Sequence, residues 1–189
     1  MHLGEYEQAE RTLRSALQAA RQDNFARETA SSLAMLGCLD LVQGRPAQGQ
    51  AELLESVERY RKQSAAGELG MALGGLVLAE LALEHKEAAQ GALQEALGIA
   101  VETHSHFTSM TCWAASVALL AEAGRWEQAL EVHAAGQGVP LLANSRWQAD
   151  IVAPWVDAAI AHLPPESAVA ARERGRGCDL FVLLAEVLE

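Results

Sequence analysis

A chain of 189 residues, 50% of them hydrophobic and only 5% aromatic, has apolar material for one compact domain or a short stack of repeats, and its Ala and Leu content favours helices over sheets. Twenty-five acidic against 14 basic residues give a formal net charge of −11, so most of the surface repels a phosphate backbone and direct nucleic-acid binding is not expected. The opening Met1-His2-Leu3-Gly4-Glu5-Tyr6 lacks the basic-then-apolar pattern of a leader, and no apolar run reaches the roughly 20 residues that span a bilayer. Cys38, Cys112 and Cys178 form no CxxC pair and leave one cysteine unmatched, which predicts buried free thiols in a cytoplasmic protein.

In chain order, the first predicted element is a helix from about Glu5 to Arg21, with Ala9, Leu13, Ala16 and Leu17 along one stripe. Residues 1–4 cannot supply it with a partner helix. The expectation is therefore a half unit that continues a longer protein, or a free-standing adaptor or peptide receptor whose exposed face is covered by a second copy in a homodimer. The string Leu3-Gly4-Glu5-Tyr6-Glu7-Gln8-Ala9 then aligns, at offsets of 40 and without insertion, with segments 43–49, 83–89 and 123–129. Each segment ends in a small residue (Ala9, Gly49, Ala89, Ala129), and stripes at Leu53, Ser56, Val57 and at Leu93, Ala96, Leu97 follow. Upstream of the turns lie matching stripes at Leu33, Leu36, Gly37, at Leu73, Leu76, Val77 and at Trp113, Ser116, Val117. Each unit is thus predicted to be a helix, a tight turn at Gly44, Glu84 or Gly124, and a second helix, with Pro46 at a helix start. The small residue sets how closely the two helices cross.

These boundaries give a half repeat at 1–24, repeats at 25–64, 65–104 and 105–144, and C-terminal capping helices at 145–189. The periodic pattern fails after Ala129, at His133, Gly136, Gly138 and Pro140, and Ser145 to His162 then present Trp147, Ile151 and Trp155 at four-residue spacing, an apolar face able to close the open end.

Leu36-Gly37, Gly44, and the strings Gly4-x-Tyr6-x-x-Ala9 and Gly124-x-Trp126-x-x-Ala129 resemble the tetratricopeptide family over about residues 1–138. The family's usual period is about 34, so 40 implies longer helices. That form is similar to the repeats of large bacterial signal-transduction ATPases and of transcriptional regulators of the maltose-regulator type, as is the tail from Leu163 to Arg176 followed by the apolar Leu180 to Leu188. The resemblance implies an all-α, right-handed superhelical solenoid of antiparallel helix pairs, serving as the sensing arm of a larger regulator. Pro46 and Lys86 depart from the aromatic expected at the turn, and Glu84 from a glycine.

Counting around each first helix, the face turned away from its second helix holds Ser31, Ala34, Cys38 and Leu41, then Met71, Gly74, Leu78 and Leu81, then Thr111, Ala114, Ala118 and Ala121. This small, apolar lining is the predicted groove for a protein, a peptide or a small ligand; packing between repeats would bury the same residues. Asp40 and Glu80, one repeat apart, are candidates for an acidic step in that groove or for solvated side chains. Gly70, Gly74 and Gly75 are expected to let helices approach. His104, His106, Cys112 and His133 have some metal-ligand character but no supporting motif, and Glu102 with the two histidines is the remote enzymatic alternative. No phosphate-binding or nucleophile-elbow string occurs, so no catalysis, cofactor or metal is expected.

Overall fold

The computed structural model describes residues 3–103 and 106–187. Among them are eleven helices and no strand: α1 (Leu3–Gln22), α2 (Ala26–Val42), α3 (Pro46–Lys62), α4 (Ala66–Ala82), α5 (Lys86–Thr103), α6 (His106–Glu122), α7 (Trp126–Gln137), α8 (Pro140–Ala143), α9 (Arg146–His162), α10 (Pro165–Arg176) and α11 (Leu180–Ala185). The starts of α2, α4 and α6 fall at 26, 66 and 106 and those of α3, α5 and α7 at 46, 86 and 126, which is the 40-residue spacing of the sequence. None of the described helices is long and apolar enough to cross a membrane.

The turns explain this regularity. Asn24, Gly44, Ser64, Glu84 and Gly124 all take positive φ, at 57°, 74°, 53°, 63° and 74°. At each, two main-chain bonds close the preceding helix: the Gly44 N–H donates to the Leu41 carbonyl (3.1 Å) and the Arg45 N–H to the Asp40 carbonyl (2.8 Å), and the Glu84 and His85 N–H groups repeat this on Leu81 (3.0 Å) and Glu80 (2.8 Å). The second donor residue also accepts the first bond of the next helix, as Arg45 does from the Gly49 N–H at 3.0 Å. One helix end therefore becomes the next helix start within three residues. Glu84 adopts the left-handed conformation without a glycine, at a cost of roughly 1–2 kcal/mol.

Helices pack on their neighbours in sequence, α2 with α3, α4 with α5 and α6 with α7. The second helix of each pair leans on the next first helix, and α2, α4 and α6 touch in succession. The predicted stripes of the complete pairs are buried. At the α2–α3 crossing, a Cβ on Gly37 would stand 2.8 Å from the Gly49 carbonyl oxygen and one on Gly49 2.7 Å from that of Gly37, so only glycine fits on either side. Val77 with Ala89 and Val117 with Ala129, all buried, occupy these positions in the later pairs. Gly70 and Gly75 do let helices approach: a Cβ at Gly70 would meet Thr108 at 2.2 Å, and one at Gly75 would meet Leu53 at 2.8 Å and Cys38 at 2.9 Å.

On α1 the stripe is only partly covered. Leu17 packs with Leu33 and Leu36 in a small cluster flanked by Leu13, while Ala16 is exposed. Salt bridges Arg21–Glu55 (3.1 Å) and Arg61–Glu95 (2.6 Å) link successive second helices at equivalent positions. At the other end α10 lies along α7, with Gly175 so close that a Cβ would come within 2.1 Å of the Glu131 carbonyl oxygen. Arg174 reaches Glu127 and Glu131, each at 2.7 Å.

Candidate functional site

The first helices do form one continuous layer, but little of its predicted lining is open. Ala34, Gly74, Leu78, Leu81, Ala114, Ala118 and Ala121 are buried, while Ser31, Cys38, Leu41 and Met71 remain partly exposed. The side chain of Thr111 lies outside the described residues. A cleft of about 320 Å³ between the α4–α5 and α6–α7 turns shares only Leu81 with this set.

Part of the cover comes from the chain itself. Helix α9, capped by Ser145 accepting from the Gln148 N–H at 3.3 Å, packs on α6 and α7 and extends to α2. Its Ile151, Val152, Val156 and Ala159 are buried, and the α6 helix it packs on holds the buried Ala114, Ala118 and Ala121. The Trp147 indole N–H donates to the Cys38 carbonyl at 3.2 Å, and the Tyr6 hydroxyl of α1 donates to Asp150 Oδ2 at 2.6 Å. Arg146 stands 3.6 Å from Glu5 and 3.7 Å from Asp150. Burial, then the bond to Asp150, pushes the Tyr6 phenol up to about 12, and burial alone pushes the Cys38 thiol up to about 12, which leaves Cys38 unreactive near neutral pH.

The helix of residues 145–162 thus packs on α6 and α7 and also reaches the first two helices, while α10 packs along α7. Within α9, Pro154 lacks the N–H that would bond the Asp150 carbonyl, so the helix carries one main-chain bond fewer at that point.

Asp40 and Glu80 are neither a groove step nor solvated. Both are buried and paired across the turn that follows them. Arg45 Nε donates to Asp40 Oδ1 at 2.9 Å; Glu80 Oε2 accepts from Gln50 at 2.9 Å and lies 2.8 Å from His85 Nδ1. In the next unit Leu120 replaces the acid, and Arg125 donates instead to the Val187 carbonyl at 2.9 Å. Sequence reasoning also missed Glu52, which lies beside Asp40 and within 3.4 Å of Arg14.

Of the histidine cluster, His104 and the side chain of His106 lie outside the described residues. Cys112 is buried, and His133 stacks on Trp113 with ring centroids 5.5 Å apart. Burial, then the charge of Arg172, holds the His133 imidazole down at about 4, so it stays neutral at pH 7. Glu102 is exposed, and no group of three or more metal-ligand side chains gathers among the described residues. Cys38 and Cys178 carry free thiols; Cys178, expected to be buried, is exposed in the segment between α10 and α11. No family model, curated protein or solved structure matches the chain.

Proposed function

We propose that this chain is a tetratricopeptide-like solenoid acting as a non-catalytic interaction module, whose layer of first helices binds an amphipathic helix or peptide, with the cytoplasm as its setting. The observation that carries the reading is the chain's own α9, an amphipathic helix that packs on α6 and α2 with Ile151 and Val156 buried, is bonded to α2 by Trp147 and is tied to α1 by Tyr6. A layer that accepts one such helix has the shape and apolar character to accept another. The 40-residue period, similar to that of bacterial signalling ATPases and maltose-type regulators, makes the sensing arm of a regulator the role we favour. A second reading, self-association through α1, draws on the partly exposed Leu13 and the exposed Ala16, whose counterparts Leu53 and Ser56 are buried.

A resident helix competes at an effective concentration in the millimolar range, so a peptide added in trans must be tested where that helix is weakened. A fluorescent peptide of residues 144–163 is expected to bind the Tyr6→Phe/Trp147→Ala variant more tightly than the unaltered chain. Adding Met71→Glu to that variant should weaken binding at least tenfold, because an unpaired charge on an apolar face opposes docking. Gln94→Glu, on the exposed side of α5, should change nothing. Equal losses from the two charges would refute the reading, as would binding that ignores the state of α9. A dimer in sedimentation that becomes monomeric on Leu13→Glu would favour the second reading.

A further inference from the structure

Asp40 is completely buried, and although its Oδ1 accepts from Arg45, its Oδ2 has no hydrogen-bond partner. On the facing helix α3, Glu52 Oε2 is also buried without a partner, and the Glu52 and Asp40 carboxyl groups stand within hydrogen-bonding reach of each other. Two ionised carboxylates can only accept, so as anions they would leave both oxygens orphaned and repel one another. One proton between them satisfies both oxygens at once.

We propose that Asp40 and Glu52 share a single proton, and that its release loosens α1 from the α2–α3 pair, making this cluster a proton-sensitive latch on the N-terminal helix.

The charged surroundings fit this role. From α1, Arg14 reaches Glu10 at 2.9 Å and Glu52 at 3.4 Å; from the α2–α3 turn, Arg45 reaches Asp40 and, at 2.9 Å, Glu10. Two guanidiniums thus face three carboxyl groups, and the cluster is neutral only when one proton is held. On α4, Glu80 is engaged by Gln50 and His85, and on α9, Arg146 and Asp150 are engaged with Glu5 and Tyr6. The same network that holds the proton holds α1, whose Tyr6 in turn grips α9, so loosening α1 weakens the bridge to the inner layer.

Burial, then the neighbouring Asp40 charge, raises the Glu52 carboxyl to about 7, against an opposing pull from Arg14. A carboxyl raised above its unfolded value of about 4.3 stabilises the docked state fully below that value, and the contribution is lost as pH rises through 7. With α1 undocked, Glu52 returns to the ordinary carboxyl range. The equilibrium for α1 opening should therefore increase about tenfold between pH 6 and pH 8.

Carbon-13 NMR of the side-chain carboxyls in the intact chain tests the shared proton directly. The Glu52 carboxyl should titrate near pH 7. Hydrogen exchange of α1 amides, corrected for intrinsic pH dependence, should show the tenfold rise in opening, and Glu52→Gln, which keeps a donor toward Asp40, should flatten it. Titration of the Glu52 carboxyl to completion below pH 5 would overturn the shared proton. An unchanged pH slope in Glu52→Gln would overturn the latch. If that variant does not fold, the carboxyl titration of the unaltered chain and its α1 exchange profile decide alone.

Discussion

The α2–α3 and α6–α7 pairs share one frame and fill it differently. In the first, Gly37 and Gly49 bring the two main chains together and buried Asp40 pairs with Arg45 across the turn. In the second, the same positions hold Val117, Ala129 and Leu120, the turn arginine is engaged elsewhere, and the closest approach has moved to Gly136 under the Trp113 ring. Yet both turns close with the same two bonds: Gly124 N–H to Ala121 (3.0 Å) and Arg125 N–H to Leu120 (2.9 Å) reproduce those at Gly44 and Arg45. The hairpin geometry thus comes from the main chain and the left-handed residue, not from the ion pair. That frees Asp40 in the first pair to serve a different purpose, the one we assign to it with Glu52.

The comparison can be broken at the point where the two pairs differ most. Gly136→Ala would place a Cβ 2.1 Å from Trp113 Nε1, in a ring held by its 2.8 Å bond to the Val132 carbonyl, so a loss of about 3 kcal/mol is expected. Thermal unfolding should show it as a fall of roughly 6–12 °C. Gly37→Ala should cost less, about 1–2 kcal/mol, because its nearest clashes, with Leu53 at 2.6 Å and the Gly49 carbonyl at 2.8 Å, are less severe. If the two substitutions cost the same, the tight points are not where we place them. The smallest effect sharpens the account of the turn itself: Glu84→Gly should raise stability by about 0.5–1 kcal/mol, since relief of the left-handed strain exceeds the added freedom of the unfolded chain. A melting temperature that falls on this change would mean that the Glu84 side chain, rather than the main chain, shapes the turn.

The helix order and the turns were legible in the sequence because each unit repeats the same local solution at a fixed spacing: a small residue at the crossing, a stripe four, seven and eight residues on, and a stop before the next start. Even the turn at Glu84 could be placed, since its neighbours carry the period. Exposure of the inner face was not legible, because the helix that covers part of it lies outside the repeat; Tyr6 and Asp150, which tie it down, are 144 residues apart. Asp40 and Glu80 were misjudged for a different reason. A helical wheel shows where a side chain points on its own helix, not that a partner five residues on folds back across the turn. The recurrence of acid and base as Asp40 with Arg45 and Glu80 with His85 was the signal available. Cys178 is exposed because it lies in the connection between two short terminal helices, where no periodic face shields it.

The central claim is that the layer of first helices holds a helix, and that in this chain the resident is α9. The most direct test is a nuclear Overhauser measurement on the Trp147 indole N–H, which lies 3.2 Å from the Cys38 carbonyl oxygen. The account predicts cross-peaks from that proton to side-chain protons of Cys38 and Leu41, together with slowed indole exchange, both lost as saturating 144–163 peptide displaces α9 in the Tyr6→Phe background. An indole proton that shows no contact with α2 and exchanges as freely as an exposed tryptophan would contradict it.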